Sequence, residues 1–287
     1  MLGRMRTGAL ITAIAMIGMT LIGGCSSAPS GDPHSPAASG TSFWNRSRLL
    51  GARPFFGDQR IVLPGQTPDA QTAATALRVG ALFEQDASGA HFCTASVVAS
   101  PGLDLLITAA HCINSGNGSG YRQDIVFIPG YRDGATPYGI WTTRSLLVAP
   151  QWAQSADPDY DVGFVVLNPL NGQNIQQVLG ANELGSDTGY QYLVKVTGYP
   201  SSADAPITCI NWTSKESDTQ LEFDCGGYTG GTSGSPWVTN FNPRTHTGTI
   251  VGVIGGYQEG GDTPSVSYSP YFGSAVHQLY EQAIGGA

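Results

Sequence analysis

The chain has 287 residues, with 39 Gly and 18 Pro against only 13 Lys+Arg and 21 Asp+Glu. That balance suits short strands joined by tight turns better than long charged helices. A formal net charge of −8, with no cluster of Lys and Arg, excludes a nucleic-acid backbone as partner. Arg4 and Arg6 precede an apolar run from Ala9 to Ile22, which is the layout of a secretory signal over residues 1–24 and short for a membrane span.

Ile22-Gly23-Gly24-Cys25 resembles the bacterial lipobox, in which the cysteine takes a lipid and becomes the first residue of the exported protein. The other reading is a plain signal with an incidental cysteine. A lipid on Cys25 accounts for the odd one among five cysteines, leaving Cys93, Cys112, Cys209 and Cys225 for two bridges in an oxidising compartment. Spacing alone does not choose among the three connectivities. Residues 25–41 are Ser, Ala, Pro and Gly with few apolar side chains, too few to order themselves, and read as a tether. Residues 42–75 carry Phe43, Trp44, Phe55, Phe56 and Ile61-Val62-Leu63 broken by Pro and Gly; they form either an extension packed on the main domain or a pro-segment.

From residue 76 the pattern becomes short β-type runs, predicted at 77–83, 92–99, 105–108, 125–128, 146–149, 162–167 and 192–197. A second set is predicted at 207–212, 220–223, 237–239 and 249–254. Val276, Leu279, Tyr280 and Ile284 fall at helical spacing, so the chain ends in a short amphipathic helix over 275–284. The fold class is all-β.

Three segments offer chemistry. Gly230-Gly231-Thr232-Ser233-Gly234-Ser235-Pro236 sets a hydroxyl among glycines, which let a substrate carbonyl approach the main chain. A hydroxyl needs a base beside it and N–H groups aimed at the oxyanion it creates. Thr108-Ala109-Ala110-His111-Cys112 places an imidazole just past an apolar strand, next to a cysteine that can staple it. Asp157-Pro158-Asp159-Tyr160-Asp161 reads as a solvated turn or a calcium loop, except that Asp161 abuts the apolar run that follows and needs a buried partner there.

In their order His, Asp, Ser, these segments resemble the three signatures of the trypsin/chymotrypsin-like serine proteases, over roughly residues 76–287. His91-Phe92-Cys93 and the terminal helix are similar to that family as well. The resemblance implies two six-stranded antiparallel β-barrels with a cleft between them and the bridges Cys93–Cys112 and Cys209–Cys225. It implies Ser233 as nucleophile, His111 as general base and acid, Asp161 holding the imidazole, and the N–H groups of Gly231 and Ser233 as oxyanion hole. An α/β-hydrolase would place its serine in a Gly-x-Ser-x-Gly elbow before the acid and the histidine.

The chain also departs from the family. Thr232 stands where many members have an acid that pairs with a new N-terminus, which brings the segment closer to the bacterial glutamyl endopeptidases. Ile254 stands where those enzymes place a glutamate-reading histidine, and Gly227 where trypsin-like members place an acid. A neutral pocket for a small or apolar side chain is therefore expected. Gly255 replaces a serine that supports the triad carboxylate, and backbone atoms of residues 254–257, including Gly256 and Tyr257, are expected to pair with an extended substrate. The expected protein is an exported, lipid-anchored, monomeric serine endopeptidase with a peptide or protein substrate, no nucleic acid, no cofactor and no metal. A non-catalytic peptide binder and an esterase of the same fold are the competing readings.

Overall fold

A run such as Val162-Gly163-Phe164-Val165-Val166-Leu167 has no polar face to give to water, so both of its faces must be covered. The computed structural model describes residues 45–50, 53–54, 67–86, 89–187, 189–200 and 202–285. One compact unit spans Ala38–Ala287; the other, Met1–Ala37, lies outside the described residues, as do the signal, Cys25 and Phe55 to Leu63.

In chain order the strands are β1 (Arg53–Pro54), β2 (Gln71–Thr72), β3 (Val79–Asp86), β4 (Gly89–Val97), β5 (Leu105–Thr108), β6 (Val126–Pro129), β7 (Trp141–Val148) and β8 (Gly163–Leu167). They continue with β9 (Glu183–Leu184), β10 (Leu193–Gly198), β11 (Ile207–Lys215), β12 (Gln220–Asp224), β13 (Pro236–Asn242), β14 (Thr247–Val253) and β15 (Val266–Pro270). Strands β4-β3-β6-β7-β8-β5 form a sheet that closes through β4–β5 into a barrel. The second sheet runs β15-β12-β11-β10-β13-β14. Its two ends meet without a ladder, through Gly255 N–H donating to Tyr268 O at 3.0 Å and Val253 N–H donating to Ser269 Oγ at 3.0 Å. Two short strands depart from the antiparallel rule, β1 along β4 and β9 along β14.

The β8 run alternates as its composition demands. Val165 and Leu167 point into the first barrel with Leu106, Phe127 and Trp141, while Phe164 and Val166 join Ile107, Val238, Ile250 and the terminal helix. That helix, Ser274–Gly285, buries Val276 and Leu279 against the seam, as its spacing predicted. A second core of Val194, Val196, Leu221, Phe223 and Trp237 fills the other sheet. Part of the 42–75 stretch also packs on this body. Leu49, in the helix Arg46–Leu50, is buried with Tyr131 and Tyr199, and β2 pairs with β11.

Strand β15 escaped the sequence reading because its pattern is inverted: the buried positions are Ser267, Ser269 and Pro270, while Val266 and Tyr268 are only partly buried. Small residues are needed there, since a Cβ on Gly252 would lie 2.7 Å from Ser269 Oγ. The helices Pro150–Ser155 and Ile175–Leu179 are too short to display a period. Among the described residues no helix is long and apolar enough to cross a membrane.

Candidate active site

Strand β5 ends at Thr108, and the chain turns at once into the short 3-10 helix Ala110–Cys112, so His111 is carried on a rigid strand end. The Cys93–Cys112 bridge ties that turn to β4. His111 is only 1% exposed. The three acids before β8 divide their work. Asp157 caps the 3-10 turn Pro158–Tyr160, Asp159 accepts a hydrogen bond from Gln220 Nε2 at 2.8 Å, and Asp161 faces the imidazole.

Asp161 is fully buried, which demands that its carboxylate be satisfied. Its Oδ2 lies 2.7 Å from His111 Nδ1 and accepts from Gly256 N–H at 2.8 Å; its Oδ1 accepts from His111 N–H at 2.9 Å. Gly255 leaves no room for a supporting side chain, because a Cβ there would sit 2.9 Å from Asp161 O and 3.0 Å from Oδ2. The main chain of Gly256 supplies the support instead.

Ser233 stands in a loop held on both sides. Gly234 N–H donates to Ile254 O at 2.7 Å, and Thr94 N–H on β4 donates to Ser233 O at 2.8 Å. Gly234 has φ +82 and a Cβ would meet Thr108 Oγ1 and Thr94 O at 2.2 Å, so only glycine fits. The Ser233 carbonyl also lies 3.8 Å from Cys112 Sγ, beside His111. Thr232, where an acid was missed in the sequence, turns its hydroxyl back on the loop and donates to Thr229 O at 2.8 Å. Among the described residues the N–H groups of Gly231 and Ser233 donate to no protein acceptor.

Beside Ser233 opens a cavity of about 260 Å³, walled by Thr229, Ile254, Gln258, Glu259, Gly260 and Asp262 among others. Burial pushes the Glu259 carboxyl above its ordinary range, and the nearby His111 partly opposes the shift.

Among solved structures the chain matches protease Anisep from Arthrobacter nicotinovorans with a TM-score of 0.68 and 28% identity, over 75% of this chain and 99% of that one. A thermostable serine protease, AL20, from an extremophilic microorganism gives 0.67 and 27%, over 74% and 99%. The fold is that of the trypsin/chymotrypsin-like serine proteases. These two likenesses support a serine peptidase. A Glu endopeptidase matches at 0.59 and 16% identity, over 77% and 98%, a likeness of fold alone. No protein-family profile matches the chain.

The chain is also 26% identical over 159 residues to an extracellular metalloprotease of Bacillus subtilis (strain 168), and covers 48% of that protein, about half its length. Among the described residues the one group of donors suited to a metal is Cys93, His111 and Cys112, and its two sulfurs are joined in a disulfide, which leaves no thiolate to offer.

Within this serine-protease fold the residues expected to read the substrate do not all gather. Ile254 lines the cavity, whereas Gly227, Gly255, Gly256 and Tyr257 do not. A Cβ on Gly227 would face Ala70 and Ile207, at 3.6 Å from each. Glu259 and Asp262 add acidic side chains to the cavity wall. The N–H groups of residues 254–257 are spent on Ser235 O, Tyr268 O, Asp161 Oδ2 and Gln220 Oε1. An added strand therefore finds no free donor there among the described residues.

Two positioning residues were invisible in the sequence. Thr94 is fully buried, and besides its N–H bond to Ser233 its hydroxyl donates to Gly231 O and accepts from Tyr199 N–H, each at 3.0 Å. Gln220 joins the Asp157–Asp161 turn to the second sheet through Asp159 and Tyr257. Neither belongs to a motif, although Thr94 does follow the bridged Cys93. Behind His111, Arg122 donates to the His111 carbonyl at 3.3 Å and pairs with Glu84 at 3.0 Å, both largely buried.

Proposed function

We propose that the chain is an exported serine endopeptidase that cuts peptide bonds through an acyl-enzyme, with Ser233, His111 and Asp161 as its triad. The observation that carries this reading is the buried His111–Asp161 pair, fixed by two main-chain N–H groups next to the Ser233 loop.

In this reading Ser233 Oγ attacks the scissile carbonyl carbon while His111 Nε2 takes its proton. The N–H groups of Gly231 and Ser233 hold the resulting oxyanion, each donor worth about 10²–10³ in rate. Asp161 keeps the Nδ1 proton on its side of the ring and favours the imidazolium. The imidazolium then protonates the leaving amine, the C–N bond breaks, and an ester on Ser233 remains. Water repeats the sequence and releases the acid. Glu259 and Asp262 on the cavity wall favour a cationic side chain, Lys or Arg, on the acyl side of the cut bond.

Export and anchoring rest on the sequence. Residues 1–24 serve as the signal, Cys25 carries the lipid, and 25–41 form the tether; the two disulfides suit an oxidising compartment. Incorporation of labelled palmitate that persists in Cys25→Ser would refute the anchor.

A fluorophosphonate probe tests the chemistry. It should label the folded wild type once, and Ser233→Ala not at all, with EDTA leaving the labelling intact. A folded wild type that binds peptides and resists the probe would make the chain a binder.

A further inference from the structure

On a different part of the second sheet lies a smaller cavity, about 40 Å³, that shares no lining residue with the one beside Ser233. Arg78, Asn182, Lys195, Thr197, Phe241 and His246 contribute to its walls, and no Asp or Glu does. In a chain with a net charge of −8 that composition is out of character.

Three other cations of the chain find carboxylates: Arg122 holds Glu84, Arg144 holds Asp104 and Lys215 holds Asp218. Arg78 and Lys195 do not, among the described residues. Arg78 Nη1 donates to His246 O at 2.9 Å, while its Nε is buried with no hydrogen-bond partner. Gly180, at φ +69, makes room for the guanidinium, since a Cβ there would sit 2.8 Å from Nη2. Lys195 Nζ lies 4.2 Å over the Phe241 ring. Burial holds both cations below their ordinary pKa ranges, the sign of charges that lack compensation. A void lined by two such groups, a histidine and an asparagine has the donors to satisfy an anion and no carboxylate to balance a cation.

We propose that this cavity binds one small anion, an inorganic oxyanion or the carboxylate of a small acid, held by Arg78 ahead of β3 and Lys195 on β10. The anion bridges the two sheets and stabilises the folded chain in proportion to its occupancy. The site is independent of the peptidase reading.

The test is calorimetric titration of the whole chain with sodium phosphate and, separately, sodium acetate, at ionic strength held constant with a bulky sulfonate. The expected result is saturable one-to-one binding with a Tm that climbs with ligand concentration. Arg78→Gln and Lys195→Gln should each weaken binding at least about tenfold, and Lys195→Arg should keep most of it. Phosphate alone binding identifies an oxyanion site, and acetate alone a carboxylate site. Should Arg78→Gln fail to fold by near-ultraviolet circular dichroism, Lys195→Gln decides, because its ammonium only caps a ring. Unsaturable heats, or an equal rise of Tm in wild type and both Gln variants, would mean a general salt effect and overturn the proposal.

Discussion

Thr94→Val asks whether a residue outside every motif holds the reactive loop. Valine keeps the volume and the β-branch, so β4 should be undisturbed, but it removes one hydroxyl with two jobs. Gly231 O loses its donor and Tyr199 N–H loses its acceptor, both in buried surroundings. An unsatisfied buried polar group costs about 1–3 kcal/mol, so two of them should cost roughly 3 kcal/mol once the loop relaxes. For a domain of this size that corresponds to a Tm lowered by about 6–12 °C. The same hydroxyl steadies the Gly231 carbonyl beside the proposed oxyanion donors. Loss of alignment at one donor should lower kcat by about 10²-fold with KM little changed. Thermal unfolding and steady-state hydrolysis of one peptide substrate give both numbers. If Thr94→Val keeps kcat within threefold and melts within two degrees of wild type, the loop is held by something else.

Gln220→Met should take the acceptor from Tyr257 N–H and the side-chain donor from Asp159 Oδ1 and loosen the turn that carries Asp161, lowering stability by about 2 kcal/mol and kcat about tenfold; chemical denaturation and turnover measure the two. Glu259→Gln should lower kcat/KM for peptides cut after Lys or Arg by about fivefold relative to those cut after Ala, the worth of a solvent-reached ion pair. The same variant should gain stability at neutral pH. With the folded carboxyl titrating above the unfolded one, native stability falls as pH rises through that window and the deficit persists above it. Its Tm should therefore exceed that of wild type at about pH 8 and converge with it in acid, below the unfolded carboxyl range. Replacing Cys93 and Cys112 together by Ala opens a bridge spanning 19 residues and should cost about 3 kcal/mol, read as a Tm drop, along with activity lost at the adjacent His111.

Much of this site was legible because its chemistry is concentrated in short local strings. His111 is adjacent to a bridged cysteine, Asp161 abuts the run that becomes β8, and Ser233 sits among glycines whose φ the loop requires. Strand β5 was read to the residue, because a four-residue apolar run between turns leaves little choice. The remainder was hidden for physical reasons. Strand β15 buries serines instead of apolar side chains, so periodicity pointed away from it. Thr94 and Gln220 act through contacts between segments far apart in the chain, and a threonine in a strand or a glutamine near a turn has no local signature. The acids of the cavity wall come after the 254–257 segment, at neither Gly227 nor Ile254, the two positions at which the resemblance places selectivity.

The turn that delivers those acids is built against the preferences of its own residues. Gln258 and Glu259 have φ of 53° and 52°, wound in the left-handed sense, and Gly260 and Gly261 follow them with positive φ as well. Each side chain so placed costs about 1–2 kcal/mol that glycine would not. Random substitution should therefore find easy gains in thermal resistance at 258 and 259 while stripping the wall of its reach toward substrate. Under the proposed reading of the acidic wall, glycine at 258 and 259 would leave a sturdier but less discriminating mouth, which makes this turn the place to look when selectivity and endurance are traded against each other.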